Sequence, residues 1–475
     1  MSGSNPLPGL EEQARALAAG ETTSVALTEA ALARIDATQP ALNAFRLVRR
    51  EAALAEATAA DVRLARGERA PLLGVPTVIK DDTDIAGSPT AFGCEGDFPV
   101  KTTDAEVVRR LRVAGAVIVG KTNTPEFGQW PFTEAPWFGA TRNPWDTDYS
   151  PGGSSGGTAA AVAAGVVAAG IGSDGAGSIR IPAAWTHLVG IKPQRGRIST
   201  WPDPEAFQGL TVHGPIARTV ADAAYLLDAT AGAHPGDLHR PPAPSEPFRC
   251  AADREPGRLR IALSTRPPYS AFRTSLDPQL RAALAHTAEV LTDLGHEVIH
   301  AEPKYGLIGL SFMPRSHAGL VLWRGRVPDP ALLDRRTAAN CRNGRFLGGP
   351  LLRVARAHER LLHRQVGAIF TGADVVLAPT TAQPPLRIGA TDGMSGWQTD
   401  RAIVRACPYA WPWNVLGWPG INVPAGFTAE GLPIGVQLLG PAASEERLIS
   451  LAAQLESVQR WYEQVPPHVA VTTAP

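Results

Sequence analysis

The chain has 475 residues, and its 45 Lys plus Arg balance its 45 Asp plus Glu, so the formal net charge is zero. This balance argues against the clustered basic surface that nucleic-acid binding requires. Glycine and proline, with 47 and 43 residues, are abundant but stay below the range of disordered chains, and 44% of the residues are hydrophobic. The composition therefore predicts a globular protein of one to three domains.

Targeting and redox signals are few. The N-terminus lacks a basic region followed by an apolar run, which argues against a signal peptide. The longest apolar stretch, 159–171, is too short for the ~20 residues of a membrane span. The four cysteines are scattered and form no CxxC pair, which argues against a zinc site and fits a reducing compartment. We therefore predict a cytoplasmic protein with no membrane contact, no metal and no cofactor.

Residues 1–66 are predicted to form an N-terminal helical segment, because apolar residues such as Leu17, Leu27 and Ile35 fall at helical spacing. Short apolar runs then alternate with helical patterns. The apolar runs are 73–79, 116–119, 259–263, 375–378, 421–423 and 434–438, and the helical patterns include 104–113, 220–229 and 278–294. This alternation predicts an α/β fold, with a sheet covered by helices.

Two segments interrupt this alternation. Residues 235–256 contain six prolines and are predicted to form an extended surface connection between two halves of one sheet. Residues 305–350 are rich in Arg and Gly with weak periodicity, which is typical of a lid or a substrate-shaping insertion, and equally of a solvated excursion. Since strand-like runs continue on both sides of the first segment, we interpret 1–475 as a single domain.

Glycine and serine concentrate in 150–178, where two familiar patterns are tested first. The G-x-S-x-G pattern at 152–156 matches a nucleophile elbow, which needs a preceding strand, whereas 143–148 have turn chemistry. The G-x-G-x-x-G pattern at 170–175 matches a dinucleotide fingerprint, but Pro182 interrupts the helix that should follow. Neither pattern explains the cluster.

A different chemistry fits these residues. The N–H groups of 175–178 could point at one spot and form an anion nest, so Ser178 would have an oxyanion stabiliser beside it. Tight turns that pack helix to sheet explain the glycines equally well. The missing base is Lys80, which ends an apolar strand where burial would lower its pKa, although a surface ion pair is the simpler alternative. His187 is interpreted as a packed histidine.

These residues belong to an ordered series of motifs that resembles the amidase signature family over most of the chain. The motifs are GVPTVIKD (74–81), GKTNTPEF (120–127), TRNPWD (141–146), PGGSSGG (151–157), GSDGAGSIRIPA (172–183), GIKP (190–193), GPIAR (214–218) and GLPIGVQL (431–438). The resemblance implies a large mixed, mostly parallel twisted sheet with helices on both sides.

The resemblance also implies a Ser-cisSer-Lys triad. Ser178 is the expected nucleophile, Ser154 the bridging serine after a cis peptide bond, and Lys80 the base. A cis bond before a residue other than proline costs ~2.5–4 kcal/mol and persists only where its surroundings enforce it. The family residues therefore predict a serine acyl-enzyme mechanism.

The backbone N–H groups of Gly175, Ala176, Gly177 and Ser178 are the expected oxyanion hole. The family usually has glycine where this chain has Ala176, and a positive φ there would be strained for alanine. Supporting roles beside substrate or catalytic groups are expected for three further residues, namely Ser155, Asp174 and Arg180. For Arg180 we favour a structural role over a contact with a substrate carboxylate.

The resemblance implies an amidohydrolase that cleaves a small-molecule carboxamide without metal or cofactor, and it is compatible with a homodimer. Some tryptophans in the matched loops would suit aryl or bulky apolar amides, although most should fill the core; they are Trp130, Trp137, Trp411, Trp413 and Trp418. A hydrolase of esters or carbamates remains the alternative, because the same nucleophile attacks all these carbonyls. A subunit of a tRNA amidotransferase and a non-catalytic binding scaffold are less favoured.

Overall fold

The computed structural model describes residues 7–268 and 274–467. Within them, thirteen strands form, which are β1 Phe45–Val48, β2 Pro76–Lys80, β3 Val117–Thr122, β4 Glu134–Ala135, β5 Gly139–Ala140, β6 Ala169–Asp174, β7 Val189–Lys192, β8 Val212–Ala217, β9 Arg260–Leu263, β10 Glu297–His300, β11 Val375–Pro379, β12 Gly420–Phe427 and β13 Pro433–Leu439.

The α-helices of the same described residues are α1 Leu10–Ala19, α2 Ser24–Leu42, α3 Arg50–Ala65, α4 Glu106–Val113, α5 Gly156–Ala163, α6 Arg180–Trp185, α7 Val220–Thr230, α8 Phe248–Ala252, α9 Pro278–Asp293, α10 Gly309–Arg324, α11 Arg335–Leu347, α12 Pro350–Gly367, α13 Gly396–Ala406, α14 Pro412–Leu416 and α15 Glu445–Gln459.

Eleven of the strands join one sheet in the order β1-β3-β2-β6-β8-β7-β12-β13-β11-β9-β10, and β4 pairs with β5 separately. Strand β2 is parallel to β3 and β6, and β9 is parallel to β10 and β11. The strands between these two groups pair antiparallel, as does the edge strand β1. The predicted large mixed sheet is confirmed, and parallel pairing is confined to its two flanks.

Helices cover both faces of the sheet, and the alternation of side chains along its strands shows how. In β2, Val78 packs with residues of α2, α3 and α5, whereas Ile79 packs with residues of α1, α4, α7 and α15. Successive side chains of a strand point to opposite faces. Because helices cover both faces, Val78 and Ile79 are both fully buried. The strand is therefore apolar on both sides, which is why its run of hydrophobic residues is continuous.

The N-terminal segment differs from the prediction at one place. Helix α2 ends at Leu42, the next residue Asn43 has a left-handed backbone with a φ of 47°, and Phe45–Val48 then forms a strand. This strand pairs antiparallel with β3 at the edge of the sheet. Asparagine tolerates the left-handed conformation, so it ends the helix where helical spacing alone predicts continuation.

The two segments that interrupt the sequence pattern have different structures. Residues 235–256 are irregular apart from α8, and the strands before and after them belong to the same sheet. Residues 305–350 contain α10 and α11, so they are more regular than their weak periodicity indicated. Among residues 7–268 and 274–467, no helix combines the length and apolar character needed to cross a membrane.

Candidate active site

The site forms at one edge of the sheet, where three parallel strands end. Lys80 is the last residue of β2, and Asp174 is the last residue of the neighbouring strand β6. The carboxyl ends of parallel strands meet at the same edge, so residues distant in sequence come together there. The loop that follows β6 carries Ser178, and the loop before α5 carries Ser154.

Lys80 is buried, with only 1% of its surface exposed, and its amine contacts three oxygens. The Nζ atom lies 2.7 Å from Ser154 Oγ and 2.7 Å from Ser173 Oγ. It also lies 3.2 Å from Asp82 Oδ2. Burial lowers the pKa of Lys80 from its ordinary value, and the charges of Asp82 and Asp174 oppose this shift without cancelling it.

The peptide bond between Gly153 and Ser154 is cis, as the family resemblance implied. A Cβ atom at Gly153 would lie only 2.5 Å from the carbonyl oxygen of Trp130, so a larger residue would clash with backbone there. Gly152 has a φ of 89°, which favours glycine. The two glycines thus allow this loop to pass close to its neighbours and present Ser154 to Lys80.

Ser155 joins the two serine-bearing loops. Its backbone N–H donates to the carbonyl oxygen of Ser178 at 3.1 Å. Its hydroxyl donates to the carbonyl oxygen of Ser173 at 3.1 Å and accepts from the Ser173 N–H at 3.2 Å. In the described part of the chain no hydrogen bond joins the hydroxyls of Ser154 and Ser178. The series of side-chain hydrogen bonds that starts at Lys80 therefore ends at Ser154.

The four expected oxyanion donors differ in what their N–H groups do. The N–H of Gly177 donates to Asp174 Oδ1 at 2.7 Å. Those of Gly175, Ala176 and Ser178 have no protein acceptor within the described residues. Ala176 does not have a positive φ, whereas Gly177 has one of 119°, so alanine at 176 brings no backbone strain.

Asp174 and Arg180 form a buried ion pair behind this loop. Arg180 contacts both carboxylate oxygens, at 3.0 and 3.1 Å, and both side chains have no exposed surface. The guanidinium also donates to Gln437 Oε1 at 2.9 Å and to Asn414 Oδ1 at 2.8 Å. These contacts hold the guanidinium of Arg180 in the protein interior.

The carboxylate of Asp174 is held in its ionised form. Burial opposes ionisation, but Arg180, Lys192 and the amide of Asn414 outweigh it and hold the pKa of Asp174 well below its usual range. Because the same carboxylate accepts the N–H groups of Gly177 and Ile179, it fixes the conformation of the loop that ends in Ser178.

An aromatic cluster lies near Ser154. Phe127 packs with Phe92, Trp323 and other apolar side chains, and it is followed by Gly128. A Cβ atom at Gly128 would lie 3.0 Å from Ser154 Oγ, so this backbone forms one wall of the site. Trp323 belongs to α10, which brings the segment 305–350 to this wall.

The tryptophans singled out by the sequence have mostly structural positions. Trp413 and Trp418 are buried in the apolar core near β11 and β13. Trp130 stacks on Phe132 with 6.0 Å between ring centroids, next to Gly153. His187 is buried against Phe427, and burial lowers the pKa of its ring to about 3, which confirms a packed histidine.

Sequence reasoning assigned no individual role to four residues that shape this site. They are Asp82, Ser173, Asn414 and Gln437. Ser173 and Gln437 lie inside quoted motifs, at 172–183 and 431–438, and Asp82 directly follows another, whereas Asn414 lies in none of them. Within the described residues, no group of three or more His, Cys, Asp or Glu side chains could hold a metal ion.

Comparison with known proteins agrees with this fold and identifies the family. The profile of a protein family described as Amidase matches residues 26–449. The chain therefore belongs to the amidase signature family and is an amidase. A protein of Mycobacterium tuberculosis (strain ATCC 25618 / H37Rv) named Putative amidase AmiA2 is 59% identical over 467 residues, covering 98% of this chain and 96% of that protein.

Two solved structures show the same fold. A 6-aminohexanoate cyclic dimer hydrolase has a TM-score of 0.89 and 31% identity, covering 97% of this chain and 99% of the other. A bacterial aryl acylamidase of the amidase signature family has a TM-score of 0.87 and 25% identity, covering 99% of this chain and all of the other.

Proposed function

We propose that the protein hydrolyses carboxamides through an acyl-enzyme on Ser178, with Ser154 as proton bridge and Lys80 as base. The observation that carries this proposal is the buried contact of 2.7 Å between Lys80 Nζ and Ser154 Oγ. A lysine enclosed in this way is a usable base, because burial disfavours its charged form.

The first half of the reaction forms the acyl-enzyme. Ser154 gives its proton to neutral Lys80 and takes the proton of Ser178, whose oxygen attacks the carbonyl carbon of the amide. The negative charge that develops on the carbonyl oxygen is stabilised by the free N–H groups of Gly175, Ala176 and Ser178. Each such donor lowers the activation barrier by about 3–4 kcal/mol when it is aligned with the oxyanion.

The second half releases both products. Lys80 returns a proton through Ser154 to the nitrogen of the leaving amine, and the carbon–nitrogen bond breaks. Water then gives one proton to the same relay and attacks the ester carbon of acyl-Ser178. When the carbon–oxygen bond to Ser178 breaks, its oxygen takes that proton back and a carboxylic acid leaves.

The substrate that we propose is an aryl or bulky apolar amide. The cluster of Phe92, Phe127 and Trp323 supports this, because Phe127 directly precedes Gly128, whose backbone lies beside Ser154. The segment 305–350 supports it as well, since Thr337 and Asn340 of α11 hydrogen-bond Gln129 next to the same wall. We therefore propose that 305–350 shapes the substrate pocket; the cytoplasmic location and the homodimer remain predictions from the sequence.

Active-site labelling tests the mechanism. Treatment with a fluorophosphonate should add one group per molecule, and peptide mass spectrometry should locate it on Ser178. Ser178→Ala should abolish both labelling and turnover. Ser457→Ala removes an exposed hydroxyl of α15 and should change neither. A label on any other serine, or full turnover in Ser178→Ala, would overturn the proposed nucleophile.

Substrate comparison tests the chemical class. Acetanilide-type amides, their ester and carbamate analogues, and small aliphatic amides should be assayed in parallel. We expect the anilides to have a higher kcat/KM than the aliphatic amides. An exclusive preference for small aliphatic amides would contradict the aryl pocket, and a preference for the esters or carbamates would favour the alternative hydrolase while leaving Ser178 as nucleophile.

A further inference from the structure

Asp82 is buried beside the base, and the mechanism above gives it no part. Its side chain is 3% exposed, and its Oδ2 atom lies 3.2 Å from Lys80 Nζ. The same oxygen accepts the hydroxyl of Ser173 at 2.5 Å, and Ser173 Oγ in turn lies 2.7 Å from Lys80 Nζ. Lys80, Asp82 and Ser173 therefore form a closed triangle of polar contacts.

The direction of each hydrogen bond in this triangle is fixed by chemistry. An ionised carboxylate only accepts, so Ser173 gives its single proton to Asp82. The Ser173 oxygen must then accept an N–H from Lys80. A neutral amine has two N–H bonds and one lone pair, so Ser173 and Asp82 take the two N–H bonds. The remaining neighbour of Nζ is the hydroxyl of Ser154, at 2.7 Å.

We propose that Asp82 is a positioning residue for the base. Directly and through Ser173, it holds both N–H bonds of neutral Lys80 and so turns the lone pair toward the proton of Ser154. This inference rests on the proposed function, since it assumes that Lys80 takes that proton. The negative charge of Asp82 also favours the ammonium form of Lys80, so the same residue sets the pH at which the base becomes available.

Other charged groups face this triangle from neighbouring elements. Asp174, at the end of β6, also favours the ammonium form of Lys80. His213 of β8 faces Asp82, and Asp203 in turn acts on His213. Burial lowers the pKa of His213, which favours its neutral ring and weakens its competition with Lys80 for the carboxylate.

The test is the pH dependence of Ser178 acylation in Asp82→Asn. Two quantities should be measured from about pH 5 to about pH 10, a range that includes the ordinary pKa value of histidine and the lowered one expected of Lys80. They are the rate of inactivation by phenylmethylsulfonyl fluoride and kcat/KM for an anilide. Both rates rise with pH as Lys80 loses its proton. Without the charge of Asp82 the pKa of Lys80 falls, so the rising limb should move to lower pH by about 1–3 units.

The plateau rate of Asp82→Asn should fall as well, because an amide can donate to Ser173 and no longer fixes its hydroxyl as an acceptor. The fall should be smaller than the about 10²–10⁴-fold loss expected when a base is removed. Asp84→Asn is the matched control, since Asp84 lies in the same loop but pairs with Lys101 at 3.2 Å. Its profile should be unchanged.

Ser173→Ala provides a second route if Asp82→Asn does not fold. It keeps the charges of Lys80 and Asp82 and removes the hydroxyl that links them. The plateau rate should therefore fall, and the rising limb should shift less than in Asp82→Asn. A folded Asp82→Asn with an unshifted limb, or a Ser173→Ala with an unchanged plateau, would overturn this inference. Wild-type protein that neither hydrolyses an amide nor reacts with the sulfonyl fluoride would instead overturn the proposed function.

Discussion

Two buried lysines at the ends of neighbouring strands differ in the partners of their amines. Lys80 of β2 contacts one carboxylate and two hydroxyls, those of Ser154 and Ser173. Lys121 of β3 lies 2.8 Å from a carboxylate oxygen of Asp81 and 2.8 Å from the carbonyl oxygen of Pro89. It also donates to the hydroxyl of Thr90 at 2.8 Å. Both amines are sequestered from water, yet only one has a partner that could give it a proton.

The difference shows what a base requires beyond burial. A carbonyl and a carboxylate can only accept, so Lys121 has to remain a donor. The hydroxyl of Thr90 donates its proton to the carbonyl oxygen of Thr83, at 3.5 Å, and accepts from Lys121. Ser154 has no such second acceptor among the described residues, so its proton is available to Lys80. On the proposed mechanism, the identity of the partner, more than the depth of burial, separates a base from a structural cation.

Replacing Lys80 by methionine should have the largest effect of the lysine substitutions on activity. Met fills a similar volume but cannot accept a proton, so kcat/KM per folded molecule should fall about 10²–10⁴-fold. The measurement is anilide hydrolysis, normalised to the folded fraction seen by circular dichroism. This normalisation matters because the substitution also leaves Asp82 without its lysine.

The labelling rate provides an independent readout for Lys80→Met. Acylation of Ser178 by a fluorophosphonate should slow together with hydrolysis, since both need the same proton transfer. If labelling and hydrolysis remained at wild-type rates in the folded variant, Lys80 would be a structural cation like Lys121, and the contrast between the two lysines would be lost.

Replacing Lys121 by methionine should act on stability instead. The substitution leaves Asp81 as a buried carboxylate without its cation, and breaking a buried ion pair in this way costs about 3–5 kcal/mol. Urea unfolding should show this decrease in the free energy of unfolding. Ser178 labelling per folded molecule should stay at the wild-type level. A variant that keeps full stability and loses labelling would reverse our assignment.

The sequence allowed much of this site to be predicted because its residues lie in short local motifs. The roles expected of Lys80, Ser154 and Ser178 came from the family resemblance that these motifs carry, because the local patterns alone left a surface ion pair and tight turns as alternatives. The alternation of apolar runs with helical patterns predicted a sheet covered by helices, and the family resemblance implied that this sheet is mixed. The strand Phe45–Val48 was not predicted, because four residues between two helices give too little periodicity.

The partners of the key residues could not be predicted in the same way. Ser173 meets Lys80 only because β6 pairs with β2, and Asn414 meets Asp174 across 240 residues of sequence. Such contacts depend on strand order, which a single sequence does not encode in any local pattern. The same holds for Trp323, which packs from α10 on Phe127, the residue before Gly128.

Replacing Lys192 by methionine should have the smallest effect and should sharpen the comparison. Burial and the charge of Arg180 lower the pKa of Lys192 to about 7, yet its amine contacts the carbonyl oxygens of Pro193 and Trp418, at 3.1 and 2.6 Å. A lowered pKa without a proton donor should give no base, and Arg180 and Asn414 still hold Asp174 in its ionised form, so kcat/KM should stay close to the wild-type value. The loss of these hydrogen bonds should lower the free energy of unfolding by about 1–3 kcal/mol, measured in urea. A large loss of activity at full stability would mean that a lowered pKa matters more than the partner.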